Sequence, residues 1–79
     1  MSKEFINTYY KVLEIIQHIK NENTGTPEEF RKNLSLSKKQ LYNYLNILGN
    51  FNCFVKYSRK RNTYYFTNNC KFKHLNNKS

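Results

Sequence analysis

The apolar residues at the start of the chain recur at three- and four-residue steps. Phe5, Tyr9, Val12, Leu13, Ile16 and Ile19 fall on one stripe of an amphipathic helix over 5–19, which Ser2 can cap. Ile6, Tyr10 and Ile15 widen that stripe beyond what one small domain needs to cover. Two explanations stand open, a homodimer formed through this helix or a loosely covered core. His18 falls opposite the stripe and reads as a solvated residue, and the polar run over 21–25 ends the pattern.

Two further helices announce their own starts. Thr26 can cap, Pro27 suits the first helical position, and Glu29 stands three after Thr26, completing a capping box. Only Phe30 and Leu34 are apolar here, so this helix should span about two turns. After Leu34-Ser35-Leu36, Ser37 and Gln40 form a second capping box, opening a third helix with Leu41, Tyr44, Leu45 and Leu48 on its inner side. Gly49 and Asn50 suit its end. Two short helices joined by so tight a turn carry the helix-turn-helix pattern. Residues 53–57 and 63–66 are β-favouring runs separated by 58–62, a hairpin in which alternation groups Val55 with Tyr57 and Tyr64 with Phe66 toward the core. Lys56 and Thr63 mark its other face. The expected fold class is α+β, three helices followed by a two-stranded β-hairpin, with one domain over 1–66 and a basic, polar tail over 67–79.

Charge sharpens this picture. The chain has 79 residues, a formal net charge of +9, seven Tyr and six Phe, enough aromatic bulk for one modest core. All five glutamates lie in residues 1–29, against three lysines, a net of −2; residues 30–79 hold eleven Lys or Arg and no acid. Part of the lysine excess accompanies the richness in Asn, Ile, Tyr and Phe that AT-rich coding produces. The segregation itself points to a surface that meets a polyanion.

The third helix and the hairpin supply the candidate contacts. Lys39, Tyr42, Asn43 and Asn46 fall on the side of the helix opposite its core residues, and Lys38 lies beside them at its start. Lys can donate to guanine, Asn can pair with adenine through two hydrogen bonds, and Tyr can meet a thymine methyl or a phosphate. Lys56 suits a phosphate contact, and Arg59, Lys60 and Arg61 put three consecutive cations at the hairpin tip, where a phosphate-lined groove would relieve their repulsion.

The runs Gly25-Thr26-Pro27-Glu28-Glu29-Phe30, Leu34 through Leu45, and Val55 through Phe66 resemble the winged helix-turn-helix domains of small bacterial transcriptional regulators. The resemblance covers roughly residues 5–66. It implies that the helix from Ser37 enters the major groove of duplex DNA, with Lys38, Lys39, Tyr42 and Asn43 at DNA-facing positions, and that the 54–66 hairpin is the wing, with Arg59, Lys60 and Arg61 at its tip. Two positions depart from the family. Arg31 stands where a small residue, commonly Ala, is usual, and must escape to solvent or open the angle between the helices; Ser35 stands where the turn often has Gly.

Other classes are weaker. A winged helix can also serve as an interaction module for an acidic protein partner. RNA binding would use exposed aromatics on a sheet, for which Tyr65 is the candidate. An enzyme is not expected, because the chain has no Asp, its two His lie far apart in sequence, and no glycine-rich phosphate loop is present. No cofactor, metal or small-molecule ligand is expected. Cys70 and His74 stand four apart without the paired spacing of a zinc site, and Cys53 and Cys70 read as reduced thiols in a chain that folds without a disulfide. No apolar run approaches a membrane span and the N-terminus lacks a signal-peptide pattern, so the expected location is cytoplasmic, nucleoid-associated when bound to DNA.

Overall fold

Three helices, α1 (Lys3–Lys20), α2 (Pro27–Asn33) and α3 (Lys38–Asn50), precede two strands, β1 (Val55–Ser58) and β2 (Thr63–Phe66), that pair antiparallel. The chain is therefore α+β, three helices followed by a two-stranded hairpin. These elements come from a computed structural model that describes residues 3–70, with side chains over 7–70; Ser2, the side chains of Phe5 and Ile6, and Phe72, His74 and Leu75 lie outside the described residues.

Both short helices begin as their capping chemistry dictates. Thr26 Oγ1 accepts from Glu29 N at 3.1 Å while Glu29 Oε1 accepts from Thr26 N at 2.8 Å. Ser37 and Gln40 repeat the exchange at 3.1 and 2.8 Å. Gly25, at φ 78°, precedes the first cap, and a Cβ there would stand 2.6 Å from Glu29 Oε1, so glycine leaves room for the capping carboxylate.

Both helices also end alike. Leu36 N donates to Arg31 O and Ser35 N to Lys32 O around Ser35 at φ 59°; Cys53 N donates to Leu48 O and Asn52 N to Gly49 O around Asn52 at φ 63°. Each is a Schellman close that satisfies the last free carbonyls. The second moves the end of α3 outward: Gly49 and Asn50 are helical, and Asn52 takes the left-handed position. Ser35 holds the same conformation in the tight turn, where a glycine would be unstrained.

The core is one cluster. Val12, Ile15, Ile16 and Ile19 of α1 meet Phe30, Leu34, Leu36, Leu41 and Leu48, with Val55, Tyr64 and Phe66 packed against them. Ile15 is fully buried, so among the described side chains Tyr10 is what remains exposed of the widened α1 stripe. His18 is half-buried with its ring edge-on to Phe30 of α2, centroids 5.9 Å apart, on the flank of α1 that periodicity left to solvent. Arg31 is half-buried: it pairs with Glu28, and Nη1 donates to Leu36 O at 3.2 Å, laying the guanidinium across the turn.

The hairpin register sets Val55 opposite Phe66 and Tyr57 opposite Tyr64, so these four share the core-facing side. Ser58 belongs to β1, leaving a tip over 59–62. Thr63 is not on an open face but buried, because the connection after α1 runs along the free edge of β2. Thr24 N donates to Thr63 Oγ1 at 3.1 Å, and Tyr64 N donates to Thr24 Oγ1 at 2.9 Å. One threonine thus gives the edge strand a partner that a third strand would otherwise provide.

The cysteines overturn the expectation of reduced thiols. Cys53 and Cys70 form a disulfide, with Cα atoms 4.6 Å apart. Extending the register outward from Val55 and Phe66 carries residues 67–70 back beside 52–54: Thr67 N donates to Phe54 O at 2.8 Å, Phe54 N to Asn68 Oδ1 at 3.1 Å, and Asn68 Nδ2 to Asn52 O at 2.6 Å. The domain's packing therefore runs through Cys70.

Candidate functional site

Two helices with the same caps carry opposite charge patterns. The first turn of α2 has Glu28 and Glu29 and its last turn Arg31 and Lys32, each matched to the helix dipole. The first turn of α3 has Lys38 and Lys39 and no acid. Cations at the positive end of a helix cost roughly 0.3–1 kcal/mol each, so α3 retains two residues that its own stability disfavours.

The rest of the outward side of α3 continues from these lysines. At about 100° per residue, Lys39, Asn43, Asn46 and Asn50 lie within about 40° of the direction opposite buried Leu41. All four are exposed, and none has a hydrogen-bond or ion-pair partner among the described residues. Asn50 joins this row because the helix runs further than its Gly-Asn ending suggested. Tyr42 is 66% exposed on the flank.

On the hairpin, Lys56 is exposed opposite Tyr65, and Arg59, Lys60 and Arg61 are exposed at the tip. The three tip cations are not equivalent. Arg61 pairs with Glu22 in the α1–α2 connection and stands over the Tyr65 ring, 5.1 Å from its centroid. Arg61 thus gains neighbours that the sequence did not place near it, and Tyr65 carries a guanidinium on its face. Among the described residues no hydrogen bond or ion pair joins the tip to α3.

Every described glutamate side chain is occupied. Glu14 pairs with Lys11, Glu22 with Arg61, Glu28 with Arg31 and Lys32, and Glu29 closes a cap. The Arg31 hydrogen bond holds the Glu28 carboxyl below the usual carboxylate range, against its slight desolvation, with Arg31, Lys32 and Lys38 charges adding to the effect. Burial, with Tyr57 beside it, pushes the Tyr64 phenol up. The cations left without an ion pair among the described side chains are Lys20, Lys38, Lys39, Lys56, Arg59 and Lys60.

Beside the outward row of α3 lies a cleft of about 490 Å³ lined by Tyr42, Leu45, Asn46, Gly49, Phe54 and Val55 among others. Phe54, 49% exposed, forms its hairpin wall. It lay hidden in the sequence within a β-favouring run. A smaller depression of about 210 Å³ between α2 and α3 is floored by Leu41, Leu45 and Tyr64. Among the described residues no group of three or more His, Cys, Asp or Glu is placed to hold a metal ion, and no helix is long and apolar enough to cross a membrane. Comparison with known proteins gives no match to a family model, a curated protein or a solved structure.

Proposed function

We infer that the chain is a winged helix-turn-helix protein that binds duplex DNA, with α3 in the major groove and the hairpin as the wing on the backbone or minor groove. The observation that carries this reading is the placement of unbalanced charge. Acids pair Lys11 of α1 and both cations of α2, leaving Lys20 as the one unpaired cation among the described side chains before α3, whereas Lys38, Lys39, Lys56, Arg59 and Lys60 stand unpaired on α3 and the hairpin. Lys38 and Lys39 also oppose their own helix dipole, a local cost of the kind that functional surfaces carry. In this reading Lys38, Lys39, Tyr42, Asn43 and Asn46 meet the groove, and Lys56, Arg59 and Lys60 meet phosphates. Arg61 contributes only by exchanging Glu22 for a phosphate.

Regulation of transcription in the cytoplasm is part of the same proposal. Disulfides are rare in that compartment, so the Cys53–Cys70 bond weighs against the cytoplasmic part of the proposal. A homodimer formed through α1 would use the Tyr10 flank. The experiment is an electrophoretic mobility shift on a pool of random duplexes, with the parent, Lys39→Ala, and Arg59→Ala combined with Lys60→Ala. Retarded DNA for the parent, weakened in both variants at unchanged melting temperature, is the expected result. No shift for the parent at low salt, with capture by an acidic protein instead, would replace DNA with the protein-partner reading.

A further inference from the structure

We propose that the DNA bound by this chain is A·T-rich and read in the major groove, adenine edges by Asn43 and Asn46 and thymine 5-methyl groups by the cleft between α3 and β1. This rests on the duplex-DNA reading above and adds base identity to it.

The first support is the chemistry of the α3 row. An asparagine amide presents one donor and one acceptor side by side, the complement of adenine N7 and its N6 amino group. Guanine presents two acceptors and calls for two donors, which Arg supplies best, and α3 contains no Arg. Lys39 alone on this row donates without accepting. Asn43 and Asn46 are about 4.5 Å apart along the helix axis, a little over one base-pair step of roughly 3.4 Å, so they suit adjacent pairs. Neither has an internal partner to give up.

The second support is the apolar part of the cleft that Asn46 and Asn50 border. The cleft abutting that row is apolar where DNA would offer a methyl: Tyr42, Leu45, Phe54 and Val55 line it, and its two aromatic walls are 66% and 49% exposed. Gly49 forms part of the same wall. A Cβ there would meet nothing within 4 Å, so packing does not require glycine, and glycine is among the least favourable residues inside a helix. Its effect is to keep the helix flank low where a ligand group would enter. The thymine 5-methyl is the apolar group that the major groove presents, and the cleft adjoins the side chains that would hold the paired adenine.

The test uses fluorescence anisotropy at fixed salt with four duplexes of equal length: A·T only, G·C only, A·T with deoxyuridine for thymidine, and A·T with 7-deazaadenine for adenine. The expected order is A·T over G·C by about tenfold, with each analogue weakening binding several-fold. Asn43→Ala combined with Asn46→Ala should reduce the A·T preference to the part the methyl supplies and lose the response to 7-deazaadenine while keeping the response to deoxyuridine, at a melting temperature matching the parent. Gly49→Ala should fold at least as well and lose the response to the methyl. Equal binding to A·T and G·C overturns the proposal and leaves duplex binding standing. So does an A·T preference blind to both analogues, the mark of a minor-groove reader. Binding to none of the four at low salt removes the DNA reading itself.

Discussion

Helices α2 and α3 are built alike and charged in opposite ways. Each starts in a complete capping box and ends in a Schellman close, and each buries its inner side in the same core. Yet Glu28 and Glu29 stand at the start of α2, where the dipole favours them, and Lys38 and Lys39 at the start of α3, where it does not. The two helices share the mechanical task of holding the core. On the proposed reading α3 has a second task, and its charge is one that stability alone would not choose.

That shared mechanical task gives the largest expected effect. Phe30→Ala in α2 removes a side chain 1% exposed that packs on His18 and Tyr64, and should cost about 3–5 kcal/mol in urea unfolding. Asn43→Ala on the outer side of α3 should stay within about 0.5 kcal/mol of the parent. If the two losses are similar, the division between core face and contact face is wrong.

The disulfide distinguishes the two helix ends. It anchors the close of α3 to residue 70, whereas α2 has no such tie, and it encloses a separation of 17 residues. Opening it with Cys70→Ser should cost about 2–4 kcal/mol, read as a lowered melting temperature that reductant reproduces in the parent. A parent melt indifferent to reductant would show that the bond does not form in solution.

A smaller effect sharpens the charge contrast. Lys39→Glu gives α3 the sign of charge that α2 has, and should raise stability by about 0.3–1 kcal/mol while weakening DNA binding. Thermal melts and binding measured on the same sample check both signs. A variant that loses stability and binding together would point to a structural role for Lys39.

Much of this contrast is legible in the sequence because its signals are local. A capping box needs only four residues, so Thr26 to Glu29 and Ser37 to Gln40 declare the helix starts, and helical spacing suffices to set Lys39, Asn43 and Asn46 opposite Leu41. What stays hidden depends on neighbours distant along the chain. Thr24 and Thr63 are 39 residues apart, as are Glu22 and Arg61, and no period links them. The disulfide follows from where polar residues 67–70 turn after β2, which hydrophobic patterning does not describe. Phe54 and Gly49 become candidates only once the cleft between α3 and the hairpin exists.

The smallest effect tests the neutralised side. The Glu28 carboxyl is held low chiefly by the Arg31 hydrogen bond, so the stability it contributes is full above the ordinary carboxylate range and is lost as pH falls through its lowered value. NMR titration should place its midpoint below that of an unpaired glutamate. Glu28→Gln should flatten the acid limb of stability against pH, and an unshifted midpoint would show that the pair is not maintained.

The claim that α3 and the hairpin form a polyanion-binding surface is tested most directly by the salt dependence of duplex binding. Lys38, Lys39, Lys56, Arg59 and Lys60 are unpaired, and each phosphate neutralised releases counterions. Engaging all five predicts a slope of log affinity against log salt near −4.5, a loss of about 500-fold between about 50 and 200 mM, and a shallower slope for Arg59→Ala combined with Lys60→Ala. A flat dependence, or a slope that the double variant leaves unchanged, would contradict the account.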